Sequence, residues 1–178
     1  MLVAASKLIG PGEIETAIAR LADGISRRHA RANGLLVLGI ANGGIELARR
    51  LGARLAARTG TVDISFHRDD IGRHPIPKEF APTHIPADVQ GATIVLVDDV
   101  LFSGRTVKAA LDELFDHGRP AKVELAVLVD RGGRLMPVAA DYVGLTVEAD
   151  EREKVVVALD PADPARDSIR IEPSAARR

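Results

Sequence analysis

Cysteine is absent from this 178-residue chain, and so is tryptophan; tyrosine occurs once and phenylalanine four times. Without cysteine there is no disulfide scaffold and no thiolate metal site. An aromatic share of 3% leaves little from which to build stacking platforms for single-stranded nucleic acid. Nor is one sign of charge in excess: 24 basic residues meet 25 acidic ones for a formal charge of −1, so no global field draws polyanions. No apolar run approaches membrane-spanning length, and the opening MLVAASKLIGPGEIE lacks the basic start and full hydrophobic stretch of a signal peptide. The expectation is a cytoplasmic protein without a membrane partner. What is present is 46% apolar residues, a normal globular share. A chain of this length suits one domain, 1–178, with its own core. That core has to be made of Val, Ile, Leu and Ala.

Ile14, Ile18, Leu21 and Ile25 follow Pro11-Gly12 at helical spacing. Arg27, Arg28, His29 and Arg31 put cations where a helix C-terminus favours them, and Asn33-Gly34 is the stop. Leu35–Ile40 reads as a buried strand. After ANGG, the residues Ile45, Ala48, Leu51 and Leu55 restart a helical face, with Arg49, Arg50, Arg54 and Arg58 as its solvated side. Val62, Ile64 and Phe66 alternate as in a half-buried strand. A stretch of four prolines and no period follows, from about 70 to 90, too long for an ordinary connection and read as a flexible hood. Thr93–Val97 is a core strand, Val107, Ala110, Leu111 and Leu114 mark a helix closed by Gly118, and Lys122–Asp130 is the next strand. DYVGLTV and KVVVAL read as two further strands, SIRI as a last edge strand, and the residues from about 161 to 178 as a C-terminal tail. Strands alternating with helices predict an α/β, doubly wound, mainly parallel sheet.

In such sheets ligands bind beyond the carboxyl ends of the strands, where strand order reverses. Three strand ends here carry unusual chemistry: GIANGG, DDVLFSGRT and DRGG. Asp98 and Asp99 end an apolar run in two adjacent carboxylates. Paired acids repel a phosphate but suit hydroxyls and Mg²⁺. Ser103 to Thr106 opens a helix and offers backbone N–H groups, two hydroxyls and Arg105, which suit a phosphate. Together they describe a sugar with vicinal hydroxyls and a terminal phosphate. The triphosphatase pattern G-x-x-x-x-G-K-[ST] is missing. An acidic strand end followed by a helix cap is the alternative reading of these residues. The second acid pair, Asp69-Asp70, reads as capping rather than metal binding. The five histidines have no ligand spacing along the chain, which argues against a transition-metal site.

Ile94 to Thr106, IVLVDDVLFSGRT, resembles the phosphoribosyl-pyrophosphate (PRPP) signature of the type I phosphoribosyltransferases. The similarity runs on through VKAALDELFDHGRPAKVELAVLVDRG and ADYVG to KVVVALD, and back to HRDDI, covering most of residues 13–160. It is most like the pyrimidine-operon regulatory branch with uracil phosphoribosyltransferase activity. That resemblance implies that Asp98 and Asp99 are the catalytic acids, holding the ribose hydroxyls with Mg²⁺ as cofactor. It implies a PRPP loop of Val100, Leu101, Phe102, Ser103, Gly104, Arg105 and Thr106 beyond them, and a nucleobase segment at Asp130, Arg131 and Gly132. Ala41, Asn42, Gly43 and Gly44 match the pyrophosphate loop, where uracil-using members carry Thr-Arg-Gly and this chain has no guanidinium. Arg68 is placed to reach pyrophosphate as the hood closes.

The resemblance also implies the small-molecule partners PRPP, uracil and UMP, and a homo-oligomer, dimer or higher. Purine-using relatives put an Asp where this chain has Phe102, so no general base is assigned. RNA is a partner of the regulatory relatives, but of the matching positions Ala19, Asp23, Arg134, Ala139 and Leu145 only Arg134 keeps a basic group, which disfavours it. Three functions stand at this point: a uracil transferase, an RNA-binding regulator with vestigial catalysis, and a purine-directed transferase.

Overall fold

A parallel sheet must be covered on both faces, and this chain supplies helices for both. In the computed structural model, which describes residues 8–30, 34–65, 67 and 82–174, the elements begin with β1 (Leu8–Ile9), α1 (Pro11–His29), β2 (Leu36–Ile40), α2 (Gly44–Leu55) and β3 (Arg58–Val62). Then come β4 (Thr93–Leu101), α3 (Arg105–Asp116), β5 (Lys122–Asp130), β6 (Tyr142–Thr146), β7 (Glu153–Ala158), a 3-10 turn at Pro164–Arg166 and β8 (Ser168–Pro173). Five strands form a parallel sheet in the order β3-β2-β4-β5-β6. The chain runs from β2 out to β3, returns past β2 to β4, and then steps away through β5 and β6. Strand order therefore reverses between β2 and β4, which opens a crevice at their carboxyl ends.

Side-chain alternation assigns the two faces. Val37, Val95, Ala126 and Leu128 pack with Ile14, Ile18, Leu21 and Ile25 of α1 and with Leu47, Ala48 and Leu51 of α2. Leu36, Leu38, Ile94, Leu96, Leu125 and Val127 pack with Val107, Ala110 and Leu114 of α3. Each fully buried Leu or Ile contributes roughly 1.5–3 kcal/mol of transfer free energy to this layering. Pro11 and Glu13 at the start of α1, and Arg27, Arg28 and His29 in its last turn, suit the two ends of the helix dipole.

The strand expected at Val62–Phe66 lies earlier, at Arg58–Val62; Phe66 is outside the described residues. Its register is set by parallel pairing, from Leu36 opposite Arg58 to Ile40 opposite Val62. The polar run Thr59-Gly60-Thr61 shows no alternation because returning chain covers this edge. His84 and Thr61 exchange backbone hydrogen bonds of 2.8 and 2.9 Å, and a Cβ on Gly60 would run into the His84 carbonyl. Val89 is buried as well. The end of the segment read as a hood is thus fastened to β3, while 68–81 lies outside the described residues.

The strands near the C-terminus do not extend the parallel sheet. They form a second, antiparallel sheet in the order β1-β8-β7, in which SIRI is the middle strand. Only residues 147–152 join β6 to β7, too few for the crossover that a further parallel strand needs. Ile9, Ile169 and Ile171 join the core on the α1 side. The region set aside as a tail from about 161 carries β8 and the anchor of a buried arginine. Arg50, expected on a solvated face, is 8% exposed. Its guanidinium donates to Asp167 at 2.5 and 3.1 Å, to the Asp160 carbonyl at 2.8 Å and to Glu46 at 2.7 Å. Such a fork satisfies the desolvated charge on several acceptors.

A second buried charge joins α1 to β5 and β6. Glu124 receives Lys122 at 2.6 Å, Tyr142 at 2.7 Å and Arg28 at 2.9 Å, and lies 2.5 Å from His29 Nε2. Burial alone would raise its carboxyl, but hydrogen bonds from Lys122, His29 and Tyr142 hold it down at about 2. A carboxyl depressed in the folded state stabilises above the ordinary value of 4.5, and that stabilisation is lost as pH falls toward the folded value. Glu124→Gln is expected to cost about 2–3 kcal/mol in urea unfolding at neutral pH. The gap between wild type and variant should close as the pH is lowered from 4.5 toward 2. A gap independent of pH would contradict this role.

Candidate functional site

β4 is longer than its neighbour. It pairs with β2 only from Ile94 to Val97 and with β5 out to Leu101. Asp98 is therefore the first residue past the point where β2 turns away into residues 41–43. Asp98 is 5% exposed and Asp99 half-buried. The Asp99 N–H donates to Asp98 Oδ1 at 3.0 Å, and the Val100 N–H to Asp99 Oδ1 at 2.7 Å. Burial drives the Asp98 carboxyl well above the ordinary carboxylate range, and the Asp99 charge beside it adds to the effect. Burial raises Asp99 too, against hydrogen bonding from the Val100 amide. Two desolvated acids in contact favour a cation or hydroxyl donors over a second anionic charge.

The loop after β2 lies directly on these acids. A Cβ on Gly43 would stand 2.6 Å from Asp99 Oδ1, and one on Gly44 would collide with the Val97 carbonyl. Only glycine allows this approach. It brings the start of α2, whose cap is Gly43, up to the end of β4. The Ala41–Asn42 peptide bond is cis. Gly43 and Gly44, in the loop the sequence reading assigned to pyrophosphate, thus face the end of β4 across the switch point.

On the other side of the acids the chain turns into α3 through Gly104, whose φ of 90° is left-handed. The first turn of α3 holds no acidic residue, so the partial positive charge of its N-terminus is not offset there. Arg105 N–H donates to Ser103 Oγ at 3.3 Å. The Ser103 carbonyl receives the amides of Leu135 and Met136 at 3.0 and 2.9 Å, which pins the turn to the loop after β5.

The DRGG segment is held by an arginine outside the set expected for the site. Arg134 Nη1 donates to the carbonyls of Leu101, Phe102 and Gly132, at 3.3, 2.9 and 3.2 Å. Its Nε donates to the Val138 carbonyl at 3.1 Å, and Nη2 to Asp130 Oδ2 at 2.5 Å. Burial pushes the Asp130 carboxyl up, but Arg134 and the Gly132 amide bring it below its ordinary value. One guanidinium therefore joins the loop after β4 to the loop after β5. Arg131 is similarly engaged. It is 9% exposed, donates to the Glu153 and Asp150 carbonyls at 2.9 Å each, and stands 4.1 Å over the Phe102 ring. Its guanidinium orders Phe102 and the 150–153 turn. No local sequence signal marks Arg134, because Asp130 ends a strand and residues 131–134 are not helical. Arg68 lies outside the described residues.

Known proteins resemble this chain in sequence and in fold. Residues 10–162 match the phosphoribosyl transferase domain family. The bifunctional protein PyrR of Geobacter sulfurreducens is 43% identical over 162 residues, covering 88% of this chain and 92% of that protein. The bifunctional protein PyrR of Streptomyces coelicolor is 47% identical over 169 residues, covering 91% and 86%. Among solved structures, hypoxanthine phosphoribosyl transferase of Trypanosoma cruzi superposes with a TM-score of 0.68 at 21% identity, over 93% of this chain and 91% of that one. A hypoxanthine-guanine phosphoribosyltransferase of Bacillus anthracis gives 0.64 at 18% identity, over 83% and 86%. At such identities the structures speak for the fold alone.

Arg134→Ala removes a hydrogen-bonded charge from five acceptors and leaves Asp130 without its partner. The expected cost is about 2–3 kcal/mol in urea unfolding. Arg134→Lys should recover less than half of it, because an ammonium cannot reproduce the planar fork. Unfolding of the alanine variant within roughly 0.5 kcal/mol of wild type would show that the two loops hold each other without this residue.

Proposed function

The chain belongs to the phosphoribosyl transferase domain family, a family of pentosyl-transferring enzymes, and from that premise we propose that it converts uracil and PRPP to UMP and pyrophosphate. The observation that carries the reading is that Asp98 and Asp99 end β4 where strand order reverses, with the start of α2 packed against them and the turn into α3 following along the chain. In transfer, uracil N1 forms a bond to the ribose C1′ while the bond from C1′ to the pyrophosphate oxygen breaks, and the N1 proton passes to water. Asp98 and Asp99 accept hydrogen bonds from the ribose hydroxyls. The amides of Leu101–Thr106 and the hydroxyls of Ser103 and Thr106 hold the 5′-phosphate at the start of α3. The backbone of Ala41–Gly44, at the start of α2, receives the departing pyrophosphate. Arg68 is proposed as a further contact there. Asp130–Gly132 borders the base.

Mg²⁺ fits the acid pair, because its donors are carboxylate oxygens alone and burial with mutual repulsion leaves them in want of a cation. Asp98 and Asp99 would hold it, partly through substrate oxygens, and once bound it would neutralise charge on the leaving group. Position 102 holds a phenylalanine stacked under Arg131, so no carboxylate base is available from this turn, and catalysis rests on positioning and electrostatics. The absence of a guanidinium from Ala41–Gly44 points to modest turnover.

An RNA-binding regulator is the second reading, since the relatives are named bifunctional. It is weakened by Arg134, whose donors are engaged within the protein, and by the lack of a basic group at Ala19, Asp23, Ala139 and Leu145. A single 1–178 domain, a homo-oligomer and a cytoplasmic place remain part of the proposal; no described helix is long and apolar enough to cross a membrane.

The test is pyrophosphate release measured in parallel with uracil, hypoxanthine, guanine and xanthine, in the presence of PRPP and Mg²⁺. Uracil is expected to exceed each purine in kcat/KM by at least about tenfold. A purine in first place would overturn the uracil assignment. Release with no base, together with UMP-dependent capture of a pyrimidine-operon leader RNA on filters, would favour the regulator.

A further inference from the structure

A second cluster of ligand-bearing side chains lies away from the acid pair, at the far end of α3. His67 follows β3 by five residues, and its Nε2 is 3.1 Å from Glu113 Oε2 and 3.5 Å from Asp116 Oδ2. One ligand atom from each of the three residues falls within 4.8 Å of the others. Glu113 and Asp116 stand three residues apart on one face of α3, and His67 comes to them from a segment remote in sequence.

We propose that His67, Glu113 and Asp116 form a binding site for a divalent transition-metal ion of zinc-like chemistry. An imidazole nitrogen with two carboxylates is a donor set for Zn²⁺, Co²⁺ or Ni²⁺, where Mg²⁺ would require oxygens alone. Ligating carboxylates in metal sites are oriented by outer partners, and Glu113 has them. Thr83 Oγ1 donates to its Oε1 at 2.6 Å, and His117 Nε2 lies 3.2 Å from the same oxygen. Glu113 is also the most enclosed of the three, its side chain 16% exposed against 25% for His67 and 72% for Asp116. Glu113 is thus the fixed ligand, and the exposed Asp116 is free to adjust. Thr83 and His117, the outer partners of Glu113, also line a cavity of about 340 Å³. The same atoms also make an ion pair between a protonated His67 and the two acids, and metal uptake separates the two readings.

The full-length protein, with Mg²⁺ saturating, is titrated with Zn²⁺ in a calorimeter and with Co²⁺ by visible absorption. One equivalent per chain is expected, with a Co²⁺ spectrum that requires nitrogen ligation. His67→Ala should weaken uptake on the order of tenfold or more. Asp116→Asn, at an exposed position where folding is safe, should weaken it severalfold, and Asp99→Asn should leave it in place. Thermal unfolding of the wild type should shift upward with Zn²⁺ and that of His67→Ala should not. No uptake, uptake indifferent to both His67→Ala and Asp116→Asn, or uptake lost in Asp99→Asn would each overturn the site, the last by placing the ion at the acid pair.

Discussion

Everything around the crevice is arranged about two carboxylates that repel each other. Asp98 and Asp99 sit at the end of a buried strand, and burial pushes both toward the protonated state. Left to packing alone, such a pair destabilises the sheet end it occupies. The amides of Asp99 and Val100 relieve it only in part, and the loop against Asp99 is built from glycines that contribute space but no charge. On the proposed reading the complementary charge comes from a ligand. This is the usual trade between stability and function at a binding site, where local strain in the free protein becomes binding energy in the complex.

A repulsive pair is useful only if the frame keeps it in place. Two arginines do much of that. Arg50 ties α2, whose N-terminus forms one wall of the crevice, to Asp167 and the second sheet. Arg134 ties the turn before α3 to the loop after β5. Both use the guanidinium as a rigid fork with several acceptors, a geometry lysine cannot copy. The two helix starts and the base-side loop are thereby held in register with strands whose own positions follow from core packing.

The layering of the parallel sheet was legible from the sequence because Leu36–Ile40, Thr93–Val97 and Lys122–Asp130 are apolar runs separated by helical periods. The acid pair and the turn at Ser103–Thr106 were legible because their residue types are unusual at such places. What escaped was set by contacts between distant segments. β3 is polar and glycine-bearing because His84 returns to cover it. β8 looked like an edge strand because nothing local announces that β1 pairs with its other side. Arg50 resembled a surface arginine until Asp167 was placed beside it, and Arg134, read as a retained basic group toward RNA, instead holds the Leu101 and Phe102 carbonyls. His67 and Glu113 are 46 positions apart, so no spacing rule links them.

The central claim is that the acid pair receives the sugar of PRPP. Calorimetric titration of the protein with PRPP in the presence of Mg²⁺, wild type against Asp99→Asn, tests it most directly. That substitution preserves shape, removes one charge and leaves the fold's apolar contacts untouched. The account predicts affinity weakened by about 1.5–3 kcal/mol, roughly tenfold or more. Equal affinity in the two proteins would contradict it.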